Sequence, residues 1–158
     1  MTRLGRRGGV RSSPRRRGSS LIIQRASRAA HIPADALLRR WAGAAGVEGA
    51  VTVRYVGEAE GRRLNREFRG KDHATNVLSF PYSSKPLEGD IVICAPVVAR
   101  EARLQGKPLR AHHAHLLVHG LLHLAGLDHE RGRDAARMEG RERRILASLG
   151  FDDPYRSR

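Results

Sequence analysis

At 158 residues the chain is long enough for one domain with its own hydrophobic core, and its net charge of +14 at pH 7 favours polyanionic partners. A single cysteine, Cys94, excludes an internal disulfide and a cysteine-based zinc site, so we expect a reducing compartment, the cytoplasm. The sequence contains neither a signal core nor an apolar run of the roughly 18 to 20 residues that span a bilayer. We therefore expect a soluble protein that does not associate with membranes.

The first segment of the chain differs in composition from the rest. Residues 1–18 contain seven arginines and no acidic residue among glycines and serines. This pattern predicts a disordered basic arm, although a dispensable tail or an organellar transit peptide would have a similar composition. Residues 19–158 are predicted to form the single domain.

The elements after this arm are predicted from hydrophobic periodicity and turn residues. Strands are predicted at LIIQRA, VTVRYV, VLSFP and DIVICA, which begin at residues 21, 51, 77 and 90. Helices are predicted from Pro33 to near Gly46 and over 58–68, 96–105, 109–126 and 133–149, and the polar stretch FRGKDHATN is predicted as a loop. Because the helices dominate the second half, we expect an α+β fold with a small mixed four-stranded sheet packed against helices.

Three histidines of the segment HGLLHLAGLDH have the spacing of a metal site. His119 and His123 are four residues apart, so both imidazoles project from one helical face. Gly126 can end the helix in a left-handed conformation and return His129 toward the same point. Three neutral imidazoles would leave a divalent ion an open coordination position, as in catalytic zinc sites. Water bound at such a position has a pKa of about 7.

Other histidines offer an alternative. His115 is four residues before His119, so a site shifted by one turn is conceivable, but no turn follows that would supply a third ligand. We expect His112, His113 and His115 to pack, to support ligands or to contact solvent. His31 and His73 are expected in exposed loops or caps.

The same spacing occurs in metzincin proteases, where a glutamate that follows the first histidine is the general base. Gly120 occupies that position here, so peptidase activity would need another base, such as Asp128 or Glu130. A metalloprotease is therefore the second hypothesis from the residues alone.

HGLLHLAGLDH resembles the signature of the YbeY family, the bacterial endoribonucleases of ribosomal RNA maturation. Three further blocks resemble that family in the expected order: LNREFRGKDHATNVLSFP at 64–81, EGDIVI at 88–93 and LGFDDPY at 149–155. Ala125 and Leu127 depart from the residues usual in the signature, but neither departure removes a ligand. The metal site is thus expected on a C-terminal helix and the loop after it.

The resemblance implies roles for particular residues. His119, His123 and His129 would bind one metal ion, usually taken to be zinc, and Arg69 would be the catalytic arginine that stabilises charge on phosphate. Lys71 and Asn65 would bind substrate. Thr75 and Asn76 would line the cleft or form turns.

Two smaller expectations concern the last third of the chain. Asp128 would accept a hydrogen bond from a metal-binding imidazole or cap a turn. Met138 would pack in the core rather than form a metzincin-like turn.

The resemblance also implies a biological role. The protein would be a metal-dependent, single-strand-specific endoribonuclease acting in 3′-end maturation of small-subunit (16S) ribosomal RNA and in ribosome quality control. Its partners would be ribosomal RNA and the small ribosomal subunit, with ribosomal proteins or an assembly GTPase implied by the resemblance alone. A non-catalytic ribosome-assembly factor with a structural metal is a further alternative.

Overall fold

The computed structural model describes residues 20–29, 31–127 and 132–156. Two parts of the predictions lie outside these residues: the basic arm over 1–18, and the segment with Asp128, His129 and Glu130.

The described residues contain one four-stranded sheet, formed by β1 (Ser20–Arg25), β2 (Ala50–Val56), β3 (Val77–Ser84) and β4 (Leu87–Cys94). Its strand order is β1-β2-β4-β3. The pairs β1–β2 and β2–β4 are parallel, whereas β3 pairs with β4 in the antiparallel direction. The predicted mixed sheet of four strands is therefore confirmed.

Five helices surround this sheet in the described part of the chain: α1 (Asp35–Ala45), α2 (Glu58–Arg69), α3 (Ala95–Gln105), α4 (Leu109–Leu124) and α5 (Gly132–Ser148). Each predicted helix is present, which confirms the α+β fold. Helix α2 ends one residue later than predicted, so Arg69 belongs to the helix, and Phe68, which was included in both the predicted helix and the predicted loop, is helical. The helix continues because Phe68 packs into the core, and it ends at Gly70, which has a φ of 69°. None of the described helices is long and apolar enough to cross a membrane.

Both faces of the sheet are covered, and β4 shows why. Its side chains alternate, so that Ile91 and Ile93 enter the larger core with α1, α4 and α5, while Val92 and Cys94 enter a smaller core beneath α2. Cys94 is a buried residue at the end of β4. Met138 is fully buried in the larger core, which confirms its expected packing role.

One histidine lies inside the larger core. His113 of α4 is 2% exposed, and its Nδ1 lies 3.3 Å from the hydroxyl oxygen of Tyr55. Burial lowers the pKa of His113 from 6.5 to about 4, because a charged imidazole is poorly solvated there. The folded protein therefore keeps this ring neutral at pH values where an unfolded chain would protonate it.

This difference predicts a pH-dependent loss of stability. Because the unfolded chain binds a proton at His113 below about pH 6.5 and the folded chain only near pH 4, the free energy of unfolding should fall across that window by up to about 3 kcal/mol. Denaturant unfolding of the metal-free protein between pH 4 and 7.5 measures this change in the free energy of unfolding. The double variant His113→Phe/Tyr55→Phe, which removes the titrating ring and its polar partner, should show a correspondingly shallower slope; equal slopes would contradict the assignment.

Candidate metal centre

Helix α4 has one half-buried strip, formed by every fourth residue: Ala111, His115, His119 and His123. All residues between these positions are buried. Since residues four apart lie one above the other on a helix, the three histidines form a single line at the edge of the core. The packing of α4 thus selects His119 and His123, with His115, as the imidazoles that face out of the core.

The buried carboxylate of Glu142, on α5, connects two of these histidines. Its Oε1 lies 2.6 Å from Nδ1 of His119, and its Oε2 lies 2.8 Å from Nε2 of His115. The hydroxyl of Tyr155, in the segment after α5, donates a short hydrogen bond to the same Oε2. One carboxylate therefore joins α4, α5 and the C-terminal segment.

The hydrogen bonds keep this carboxylate charged. Burial alone would raise the pKa of Glu142, but hydrogen bonds from His115, His119 and Tyr155 outweigh burial and lower it to about 2. Burial and the bond to Glu142 both raise the pKa of Tyr155, so its phenol remains a donor. At neutral pH the group is an ionised acceptor surrounded by donors.

Glu142 is not among the residues predicted from the sequence. It lies on the buried strip of α5 between Met138 and Leu146, four residues from each. An acidic residue at an apolar position of an amphipathic helix must have a buried partner, and this is the sequence signal that would identify it.

His115, His119 and Glu142 form a cluster that could hold a metal ion, since their ligand atoms lie within 4.8 Å of one another. In the observed geometry the cluster is closed by direct hydrogen bonds. Ligand atoms around tetrahedral zinc lie roughly 3.3 to 3.5 Å apart, as bond lengths of about 2.0 to 2.2 Å require. The contacts of 2.6 and 2.8 Å would therefore have to open before an ion could lie between these side chains.

Of the other two predicted ligands, the structure describes His123 but not His129. His123 lies one turn after His119 on the same strip, and Gly126 has a φ of 100°, the left-handed conformation expected of the residue that ends the helix. His129 and Asp128 lie outside the described residues, so the three-histidine set stays a prediction.

Arg69 is exposed at the last position of α2. The three other arginines of this helix are ion-paired: Arg62 and Arg66 with Asp72, and Arg63 with Glu67. Among the described residues Arg69 has no hydrogen bond or ion pair. Its guanidinium is thus the one on α2 that is not already committed to a carboxylate in the described structure.

The loop after Arg69 is held from below by Asn65. Asn65 is 1% exposed, its backbone oxygen accepts a hydrogen bond from the amide of Lys71, and its side-chain amide donates to the carbonyl oxygen of His73 at 2.7 Å. Lys71 itself is exposed. Burial therefore gives Asn65 the position of a loop support, while Lys71 lies on the surface.

This loop is also tied to the histidine-bearing helix. Asn76 donates to the carboxylate of Glu101 on α3 at 3.0 Å, and the same carboxylate lies 2.9 Å from Nε2 of buried His112 on α4. Asn76 also accepts a hydrogen bond at its side-chain oxygen from the amide of Val77, the first residue of β3. Asn76 thus links the loop to α3, and His112 is a packed residue, as expected.

Gly120 lies against the sheet. A β-carbon built at this position would be 3.1 to 3.3 Å from three side-chain atoms of Ile91. Position 120 therefore faces the core and not the histidine strip, so a glutamate here could not serve as a base for that strip without a rearrangement of the helix.

Comparisons with known proteins identify the family of this chain. The family model described as Endoribonuclease YbeY matches residues 24–150. A protein named Endoribonuclease YbeY from Aromatoleum aromaticum is 60% identical, over 86% of this chain and 92% of its own length. A protein of the same name from Alkalilimnicola ehrlichii is 56% identical, over 80% of this chain and 84% of its own. A solution structure of a Thermotoga maritima protein, 24% identical, superimposes with a TM-score of 0.55 over 85% of this chain and 99% of that one, which supports the fold.

The orientation of Gly120 predicts what happens when a glutamate is placed after His119, as in the metzincins. Gly120→Glu should lower the free energy of unfolding by several kcal/mol, roughly 3 or more, because it places an unpaired carboxylate against Ile91. It should produce no peptidase activity. Urea denaturation and a casein-cleavage assay measure the two effects.

Gly43→Glu is the matched control, because Gly43 is an exposed glycine on α1 with open space around it. It should leave stability nearly unchanged. A stable Gly120→Glu protein that hydrolyses peptide bonds would contradict the interpretation.

Proposed function

The chain belongs to the YbeY family of endoribonucleases, and from that premise we propose that it cleaves single-stranded RNA during 3′-end maturation of 16S ribosomal RNA and in ribosome quality control. The reaction class is hydrolysis of phosphodiester bonds. The observation that supports a metal-dependent site most directly is the line of histidines on α4, in which His119 is held by buried Glu142.

We assign one zinc ion to His119, His123 and His129. The described donors fit such an ion, because two imidazoles one helical turn apart can reach one metal and a carboxylate beside His119 is the usual partner of a metal-binding histidine. When bound, the ion would withdraw charge from the scissile phosphate and assist its hydrolysis. Asp128 is assigned a supporting hydrogen bond to a ligand imidazole.

Two basic residues in the segment 64–81, which resembles the YbeY family, are proposed to bind RNA. Arg69 would contact the reacting phosphate with its planar guanidinium, which has no ionic partner in the described structure. Lys71, exposed two residues later, would bind the RNA backbone. Asn65 would contribute by holding the loop that carries Lys71.

The two rival functions have less support. A metalloprotease would need a base beside the metal, and position 120, where metzincins carry it, faces the core, which leaves Asp128 or Glu130 for that role. A non-catalytic assembly factor would share the RNA-binding surface. It would not need the unpaired Arg69 beside the loop that carries Lys71. We also assign the protein to the cytoplasm, with the small ribosomal subunit, its proteins or an assembly GTPase as partners.

Cleavage of a fragment from the 3′ end of 16S ribosomal RNA tests the role of Arg69. Arg69→Ala should lower kcat/KM by about 10²- to 10³-fold, the usual cost of removing a group that stabilises transition-state charge. The metal-binding affinity should stay at the wild-type value. Single-turnover cleavage with a labelled fragment, with and without chelator, gives the rates.

Arg40→Ala is the matched control, since Arg40 is an exposed arginine on α1 and its removal changes the charge equally. It should cleave at nearly the wild-type rate. Equal rates for both variants would show that Arg69 has no special role, and cutting that persists with chelator would refute metal dependence.

Zinc titration of His123→Ala tests the ligand assignment. The variant should lose its zinc and melt at a lower temperature than wild type under zinc-saturated conditions, because binding to the folded state alone adds to stability. In the presence of chelator the two proteins should melt at similar temperatures. His31→Asn, which replaces an exposed histidine with a residue that tolerates its φ of 68°, should retain the metal. A His123→Ala protein with full zinc content would overturn the assignment.

A further inference from the structure

The carboxylate of Glu142 has a specific arrangement of donors. It is fully buried, and each oxygen is used: Oε1 by His119, Oε2 by His115 and Tyr155. An ionised carboxylate only accepts hydrogen bonds, so each of these three partners must donate. The protonated atom of every partner is thereby fixed.

For His119 the donating atom is Nδ1. A neutral imidazole that carries its proton on Nδ1 presents its lone pair at Nε2. The contact with Glu142 therefore selects Nε2 as the nitrogen of His119 that would bind a metal ion, and it fixes the rotation of the ring.

For His115 the orientation is reversed. Its Nε2 is the atom directed at Glu142, at 2.8 Å, and lies 3.2 Å from the Tyr155 hydroxyl oxygen. Its Nδ1 is buried without a hydrogen-bond partner among the described residues. The nitrogen of His115 nearest the cluster is thus already a donor to the carboxylate, and the other one is enclosed by protein.

The C-terminal segment completes the environment of the carboxylate. The ring of Tyr155 packs edge-on against His115, with centroids 5.2 Å apart. Two contacts hold this segment in place: Arg143 with Asp153 at 3.1 Å, and the Lys107 ammonium with the Pro154 carbonyl oxygen at 2.7 Å. The segment therefore excludes water from Oε2.

We propose that Glu142 is a positioning residue of the metal centre: it holds His119 in the Nδ1-protonated tautomer so that Nε2 faces the ion, and neither Glu142 nor His115 is itself a ligand. The proposal rests on the zinc site assigned above to His119 and His123. His115 and Tyr155 complete the hydrogen bonding of the carboxylate, and they hold it in the orientation that His119 requires.

Two measurements on the full-length protein test this role. The first is a long-range ¹H–¹⁵N spectrum of zinc-free wild-type protein, in which His119 should appear with its proton on Nδ1 and His115 with its proton on Nε2. This measurement needs no variant, so a variant that fails to fold cannot leave the question open. A proton on Nε2 of His119 would overturn the proposal.

The second measurement is zinc affinity, by competition with a chromophoric chelator. Glu142→Gln should weaken zinc binding about 10- to 100-fold while the stoichiometry stays at one ion, the usual effect of removing a partner that orients a ligand. His115→Phe should have a much smaller effect. Glu139→Gln, the same change one turn earlier on α5, should leave the affinity unchanged.

The outcomes separate the two levels of the assignment. If Glu142→Gln and His115→Phe abolish zinc binding while His123→Ala retains it, Glu142 is a ligand, and both this proposal and the site assigned to His123 fail. If His123→Ala loses zinc but Glu142→Gln binds it as tightly as wild type, only the positioning role fails.

Discussion

The contact between Gly120 and Ile91 fixes the rotation of α4, and the candidate site depends on that rotation. With no side chain at position 120, the helix can approach β4 closely, and its remaining apolar residues fill the core between the sheet, α1 and α5. From Ala111 onward only one strip of the helix is left half-buried, and three of its four residues are histidines. The same packing that stabilises the fold therefore aligns the imidazoles.

The second constraint is the buried charge on α5. A carboxylate without solvent destabilises a fold unless donors surround it, and Glu142 has three of them. These donors come from α4 and from the segment after α5. The site is consequently assembled by tertiary structure, and a change in the C-terminal segment would be transmitted to His119 through one carboxylate.

Periodicity and turn residues predicted the elements well, because each helix and strand has apolar residues at its own spacing and several end at a glycine. The end of α2 was predicted one residue too early, since Arg69 is a polar residue in a polar stretch and the helix continues as far as Gly70. The i, i+4 spacing correctly identified His119 and His123 as neighbours on one face. Sequence could not show that Asn65 is buried or that Glu142 is the partner of His119 and His115, because both depend on contacts between elements distant in the chain.

The position of Gly120 also bears on which reaction the site suits. A peptidase of this spacing needs a carboxylate base next to the metal, whereas here that position is occupied by the residue that packs the helix on the sheet. The described surface instead offers Arg69 without an ionic partner and an exposed Lys71. Cations stabilise a phosphodiester, which is negatively charged before and during cleavage, far more than they stabilise a neutral peptide. Position 120 thus offers no base to the histidine strip, and the two cations favour a phosphate substrate.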